Sequence, residues 1–181
     1  MAANVTPTLA DKLNGYENQS GLHALLEAVS ARLRTHDLFT AKGIRVLPEY
    51  DGDMINQLNA VLNKKLSVLA MVGFEAANAD HRSLSAMLKD IRLEVKIFES
   101  VMINQGSTGT RVSALSFAEA ALASLHQWAP TASASLVNPQ ALRMAEQNTL
   151  RLDREESQPA SGMICYATRF VTAQCLVCHC S

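Results

Sequence analysis

Between Ile91 and Pro130 the chain alternates, turns and then changes period, and this switch constrains its fold more than any other stretch. Ile91, Leu93, Val95 and Ile97 alternate with Arg92, Glu94 and Lys96, the pattern of a strand with one buried face. Val101 and Ile103 keep the parity, so the strand is expected to run on to Asn104. Glu99 interrupts it with a charge: either a bulge near Phe98 re-aims the side chains, or Glu99 lies where the sheet leaves the core. The turn QGSTGT follows. Val112, Leu115, Ala118, Leu122 and Leu125 then recur at helical spacing up to a stop at Pro130. Small alanines at 114, 118, 120, 121 and 123 let that helix lie close on a sheet.

The flanking elements agree with an α+β reading. Ser20 is placed to cap a helix through Leu22, Leu25, Leu26, Val29 and Leu33, with Glu27, Arg32 and Arg34 on its polar side. IRVLPEY reads as a short strand that Pro48 ends or confines to an edge. Asp51 or Asp53 is expected to cap a second helix whose apolar stripe is Met54, Ile55, Leu58, Val61 and Leu62, closed by Asn63, Lys64 and Lys65. Leu66 to Ala76 is apolar on both sides and predicts a central strand; Asn78 to Lys89 reads as a polar loop. Ala141–Glu146 and Thr149–Asp153 are lesser strand candidates, REESQPASG is a turn or loop, and MICYATRFVTA is a closing strand. Adjacent strands with helices between them imply a mostly antiparallel sheet with helices packed on one face. The expected organisation is a flexible arm over residues 1–19, a single domain over 20–174 and a tail over 175–181.

A chain of 181 residues is long enough to bury about 70% of its unfolded surface without a covalent staple. Its 16 basic and 17 acidic residues are interspersed, so the electrostatic footprint of a nucleic-acid binder is missing and proteins are the expected partners. The N-terminus has neither a basic segment nor an apolar one, and the longest apolar run, Leu66 to Phe74, falls far short of a membrane span. The expectation is a soluble protein made in the cytoplasm, with no membrane partner.

Four cysteines, Cys165, Cys175, Cys178 and Cys180, crowd the C-terminal end. Cys175-Leu-Val-Cys178-His179 has the form of a c-type haem attachment site, yet attachment needs export and an axial ligand, and export is not expected from this N-terminus. Cys175, Cys178 and Cys180 or His179 are the metal candidates, since soft ligands of this kind suit zinc. A structural zinc site normally joins two ligand pairs across a fold, and only Cys165 lies elsewhere, so an unliganded tail is the reading preferred. The turn before the helix could cradle an anion on free backbone N–H groups, but Gly109 is followed by Thr110 and Arg111 rather than Lys-Ser/Thr. A cap by Ser107, Thr108 or Thr110 is preferred. Glu49, Asp51 and Asp53 read as residues that favour a helix N-terminus rather than a cation site. His23, His36, His81, His126 and His179 show no HExxH spacing, and no GxSxG elbow occurs. No catalytic residue and no cofactor are assigned, so a non-enzymatic role is expected. Trp128 is expected to close the core where the helix meets the sheet.

The segment VKIFESVMINQGSTGTRVSALSFAEAALASLHQWAP resembles one in tail terminator and related tail-completion, neck or minor tail proteins of long-tailed bacteriophages. The likeness rests on Glu99, Asn104, Gly106, Gly109, Ala118, Glu119, Leu125, His126, Trp128 and Pro130. It implies a structural virion protein, located in the tail or neck after assembly in the host cytoplasm. Such proteins form a homo-oligomeric, typically hexameric ring that caps the tail tube protein and meets the head–tail connector. The interface candidates are Glu99, Asn104 and Arg111, with Glu99 expected to pair with an arginine such as Arg111 at a subunit boundary. The alternative is a small metal-binding or redox module built on the terminal cysteines; a bacterial adaptor of the same fold is a third.

Overall fold

The alternating stretch folds as a strand up to Ser100. In the computed structural model, which describes residues 21–80, 87–107, 109–133, 136, 138–147, 149–173 and 176–177, α1 (Gly21–Arg34) and α2 (Asp37–Ala41) precede β1 (Arg45–Pro48). Then come α3 (Met54–Leu62), β2 (Val68–Asp80), β3 (Met87–Ser100), α4 (Val101–Asn104) and α5 (Ala114–Leu125). The chain closes with β4 (Arg143–Met144), β5 (Leu150–Leu152), β6 (Met163–Thr172) and β7 (Leu176–Val177). The expected arm over 1–19, the Ser20 cap, His81, Thr108, Cys175, Cys178, His179 and Cys180 lie outside the described residues.

The fold is α+β. One sheet orders its strands β1-β2-β3-β6-β4, with β5 also paired to β6 and β7 to β3. Only the β1–β2 pairing is parallel among these; the rest are antiparallel. As the apolar run implied, β2 lies between β1 and β3. β7 pairs Leu176 and Val177 with Leu88 and Met87, so part of the segment assigned to a tail belongs to the sheet.

Parity decides the two faces. Val68, Ala70 and Val72 of β2, Ile91, Leu93, Val95 and Ile97 of β3, and Phe170 of β6 point to one side. There they meet Leu25, Leu26, Val29 and Leu33 of α1, Phe39 of α2, and Phe117, Ala118, Ala121 and Leu125 of α5. Phe39 and Phe117 meet edge to face at 5.3 Å. Each fully buried Leu or Phe contributes about 1.5–3 kcal/mol of transfer free energy. The alanines do what their size allows, with Ala114, Ala118 and Ala121 buried and Ala123 exposed.

The opposite face is not bare, contrary to the expectation of helices on one side only. Leu69, Phe98, Met163 and Cys165 form a second cluster, closed by Leu58, Val61 and Leu62 of α3. Of the apolar stripe of α3, Leu58, Val61 and Leu62 face the sheet while Ile55 is exposed, and the stripe does not tell which side of the sheet the helix covers.

Four local expectations are corrected. The strand stops at Ser100, and Val101–Asn104 is a helical turn, because Gln105 N–H returns to Val101 C=O at 3.0 Å. Residues 78–80 and 87–89, expected in a loop, extend β2 and β3; the irregularity in register lies between Phe74 and Asn78, not near Phe98. The long helix begins at Ala114, capped by Ser113, and ends at Leu125 well before Pro130, because Gln127 takes a left-handed φ of 61°. Of the lesser strand candidates, only Arg143–Met144 and Leu150–Leu152 pair.

Candidate functional site

Glu99 keeps the core parity. It pairs across the sheet with Val68 and Ile164, so neither a bulge nor an exit from the sheet explains it. It is 4% exposed, and its carboxylate is fully used. One oxygen accepts Nδ2–H of Asn104 at 2.7 Å and the other accepts the backbone N–H of Ala114, also at 2.7 Å. Ala114 is the first residue of α5, where uncompensated N–H groups and the helix dipole favour an anion. The anion at this helix start is therefore the chain's own carboxylate.

Asn104 completes the junction. Its amide also donates to Val112 C=O at 2.8 Å, and its Oδ1 accepts Thr110 N–H at 3.0 Å and the Thr110 hydroxyl at 2.6 Å. Buried and fully partnered, Asn104 ties strand, turn and helix together. Of the proposed caps, Ser107 and Thr110 yield that role to Ser113, whose hydroxyl accepts Ser116 N–H at 3.2 Å. Gly109 is required by space: an added Cβ would stand 2.2 Å from Asn104 O and 2.3 Å from Ile103 O. The amides of Gly106, Gly109 and Arg111 are spent on Ile103, Gly106 and Asn104 carbonyls, so these three are not free to hold an anion.

The pairing expected of Glu99 is with an arginine such as Arg111 of a neighbouring subunit; within the chain both of its oxygens are already hydrogen-bonded, to Asn104 and Ala114. Glu99 and Asn104 face inward, whereas Arg111 is exposed with a left-handed φ of 58°. Of the three interface candidates, only Arg111 stands on the surface.

On the other face of the sheet, beside the α3 cluster, lies a set of charges that local spacing did not reveal. Glu94 accepts Arg169 Nε at 3.1 Å and Arg151 at 3.3 Å, and Arg169 also reaches Glu75 at 3.1 Å. Lys96 meets Glu156 at 2.7 Å, Glu94 at 3.7 Å and Asp153 at 3.8 Å. Burial alone would lower the Lys96 pKa, but the hydrogen bond and charge of Glu156, with Glu94 and Asp153, outweigh it and raise the value. Asp153, 2% exposed, accepts Glu155 and Glu156 N–H at 3.2 and 3.3 Å and holds the 154–157 turn on the sheet. Burial, followed by the charge of Asp153, pushes the Cys165 thiol upward, which makes it an inert core residue.

The remaining candidates have local roles. Asp53 holds the N-cap position of α3 without a side-chain cap bond, and Asp51 accepts Asp53 N–H at 2.9 Å just before the helix. Asp53 instead binds the side chains of Gln57 and Asn56, which lower its pKa. His36 caps α2 through Nδ1. Trp128 packs against the main core with Arg32 5.9 Å from its ring centre. No group of three or more His, Cys, Asp or Glu stands close enough to hold a metal among the described residues. No helix among them is long and apolar enough to cross a membrane.

No protein-family model matches the sequence, and no curated protein is significantly similar to it.

Proposed function

We propose that the chain is a structural assembly protein of the phage tail-terminator kind. It would form a closed homo-oligomer that caps a tail tube and offers its other side to the connector. One observation supports this reading beyond the sequence likeness itself. Glu99, Asn104 and Gly109, three of the positions that carry the resemblance, converge in a single buried junction that sets α5 on β3. Ala118 and Leu125 then seat that helix in the core, and Trp128 packs beside it. The likeness therefore falls on the residues that build the strand–turn–helix unit, the kind of constraint a shared scaffold imposes.

An assembly role also suits a surface whose half-buried charges are largely spent on one another. The Glu94, Lys96, Arg151, Asp153 and Arg169 set pairs internally rather than presenting one sign to solvent. Sedimentation equilibrium and negative-stain imaging of the purified chain test the reading. The expected species is a closed ring near six times the 19.6 kDa of one chain, seated on the ends of tail tubes when these are added. A chain that stays monomeric at high concentration, alone and with tubes, overturns it.

A further inference from the structure

The two ends of α3 carry opposite charge around the two most exposed large apolar side chains among the described residues. At its start Asp51 and Asp53 precede Ile55 in the chain, and Ile55 is 67% exposed. Just beyond its end Lys64 and Lys65 are exposed, and Lys64 Nζ lies 3.6 Å from the sulfur of Met102, which is 65% exposed. The nine-residue helix sets these two patches about 13 Å apart. Asp53 has a long contact with Arg45 at 3.9 Å, whereas neither lysine contacts a carboxylate among the described residues.

We propose that the acidic patch around Ile55 on one copy docks on the basic patch around Met102 of the next copy, head to tail. This deepens the ring reading above and rests on it. The helix dipole favours acids at the start of α3 and bases at its end, and the exposed Ile55 and Met102 add one large apolar side chain to each charged end. A second copy supplies both the opposite charge and the apolar cover. A subunit that closes a ring must offer two different, mutually complementary surfaces, and these are two such surfaces on one element.

Charge reversal at one end and then the other provides the test. The variants are K64E/K65E, with both ends acidic, and D51K/D53K, with both ends basic. Each is expected to weaken self-association about tenfold or more, and mixing the two should restore it, because unlike ends then meet. Ile55→Ser, which leaves every charge in place, should weaken association as well; it carries the test if D51K/D53K fails to give the native circular dichroism spectrum and cooperative melt. Sedimentation velocity reads all four proteins, and wild-type association should fall as salt rises from about 0.05 to 0.5 M. If the wild type assembles while K64E/K65E and Ile55→Ser assemble equally well, the docking proposal is overturned and the ring reading stands. A monomeric wild type overturns the ring reading and removes the ground for this one.

Discussion

Ala114 donates its backbone N–H to Glu99 across 15 residues of chain, at 2.7 Å, so α5 begins on a carboxylate that belongs to β3. A buried charge is costly unless it is paired and hydrogen-bonded. Here the helix start and the Asn104 amide supply both kinds of compensation, and in exchange the strand fixes where the helix begins.

Replacing Glu99 by Gln should therefore act on the fold before it acts on any interface. The side-chain amide presents an N–H toward either Ala114 N–H or Asn104 Nδ2–H, and both of these are donors. The expected loss is about 2–4 kcal/mol, from one charged hydrogen bond removed and one buried donor left unpaired. Urea unfolding reads it as a lower midpoint at unchanged slope. A variant as stable as the wild type would mean that the carboxylate contributes nothing.

Glycine substitutions separate space from flexibility. Gly109→Ala drives a Cβ into two backbone carbonyl oxygens that cannot rotate away, and should cost about 3 kcal/mol or more. Gly52 has nothing within 4 Å of the same position, and Gly52→Ala should stay within about 0.5 kcal/mol of the wild type. Equal melting temperatures for the two variants would contradict the tight contact at Gly109.

These junction residues show what local reading captures and what it misses. The parity of Ile91 to Ile97 and the helical stripe ending at Leu125 were legible because each depends on near neighbours in the chain. Local parity does not explain Glu99, because its partner amide lies 15 residues away, beyond a Gly turn whose path no periodicity describes. The stripe of α3 marked an apolar side, but the choice of sheet face depends on the crossing between Leu62 and Val68, and spacing carries no record of it. The charged set escaped for the same reason. Arg151 and Arg169 reach Glu94 over separations of 57 and 75 residues, and only the register of β3, β5 and β6 brings them together.

Asp153 should be the most sensitive member of that set. Asp153→Ala removes the acceptor for two backbone amides and leaves Lys96 and Arg151 each with one carboxylate fewer. A loss of about 3 kcal/mol is expected, since breaking a buried pair from one side strands the other charge. Limited proteolysis should then cut the 154–157 turn faster than in the wild type. Cleavage no faster than in the wild type would show that the turn is held by other contacts.

Lys96 sets the alkaline behaviour. Its pKa is raised in the folded chain, so the stability it contributes is complete below the ordinary value of 10.5 and is lost as pH climbs through the higher folded value. Lys96→Met should be less stable than the wild type at pH 7, with Glu94, Asp153 and Glu156 deprived of their shared cation. The gap between the two proteins should narrow above about pH 10.5. Chemical unfolding at pH 7, 9 and 11 checks the sign. A gap that widens with pH would reverse the assignment.

Arg34 tests how the sheet guards its first edge. β1 is an edge strand of four residues ending in Pro48, and Arg34 Nε donates to the outward Val46 carbonyl at 2.9 Å. Glu27 holds the same guanidinium at 2.6 Å. An exposed carbonyl on an edge strand is a template for another chain, and a side chain laid over it removes the template at little cost. Arg34→Ala should lower stability by only about 1 kcal/mol, because the ion pair is largely solvent-exposed and only one backbone bond is lost. Its larger effect should be irregular aggregation on heating, seen as light scattering that begins before the unfolding midpoint. Arg34→Lys keeps the charge but lacks the planar fork, so it should fall between the two. If scattering in Arg34→Ala begins only after unfolding, as in the wild type, then Pro48 and the shortness of β1 protect the edge without the arginine.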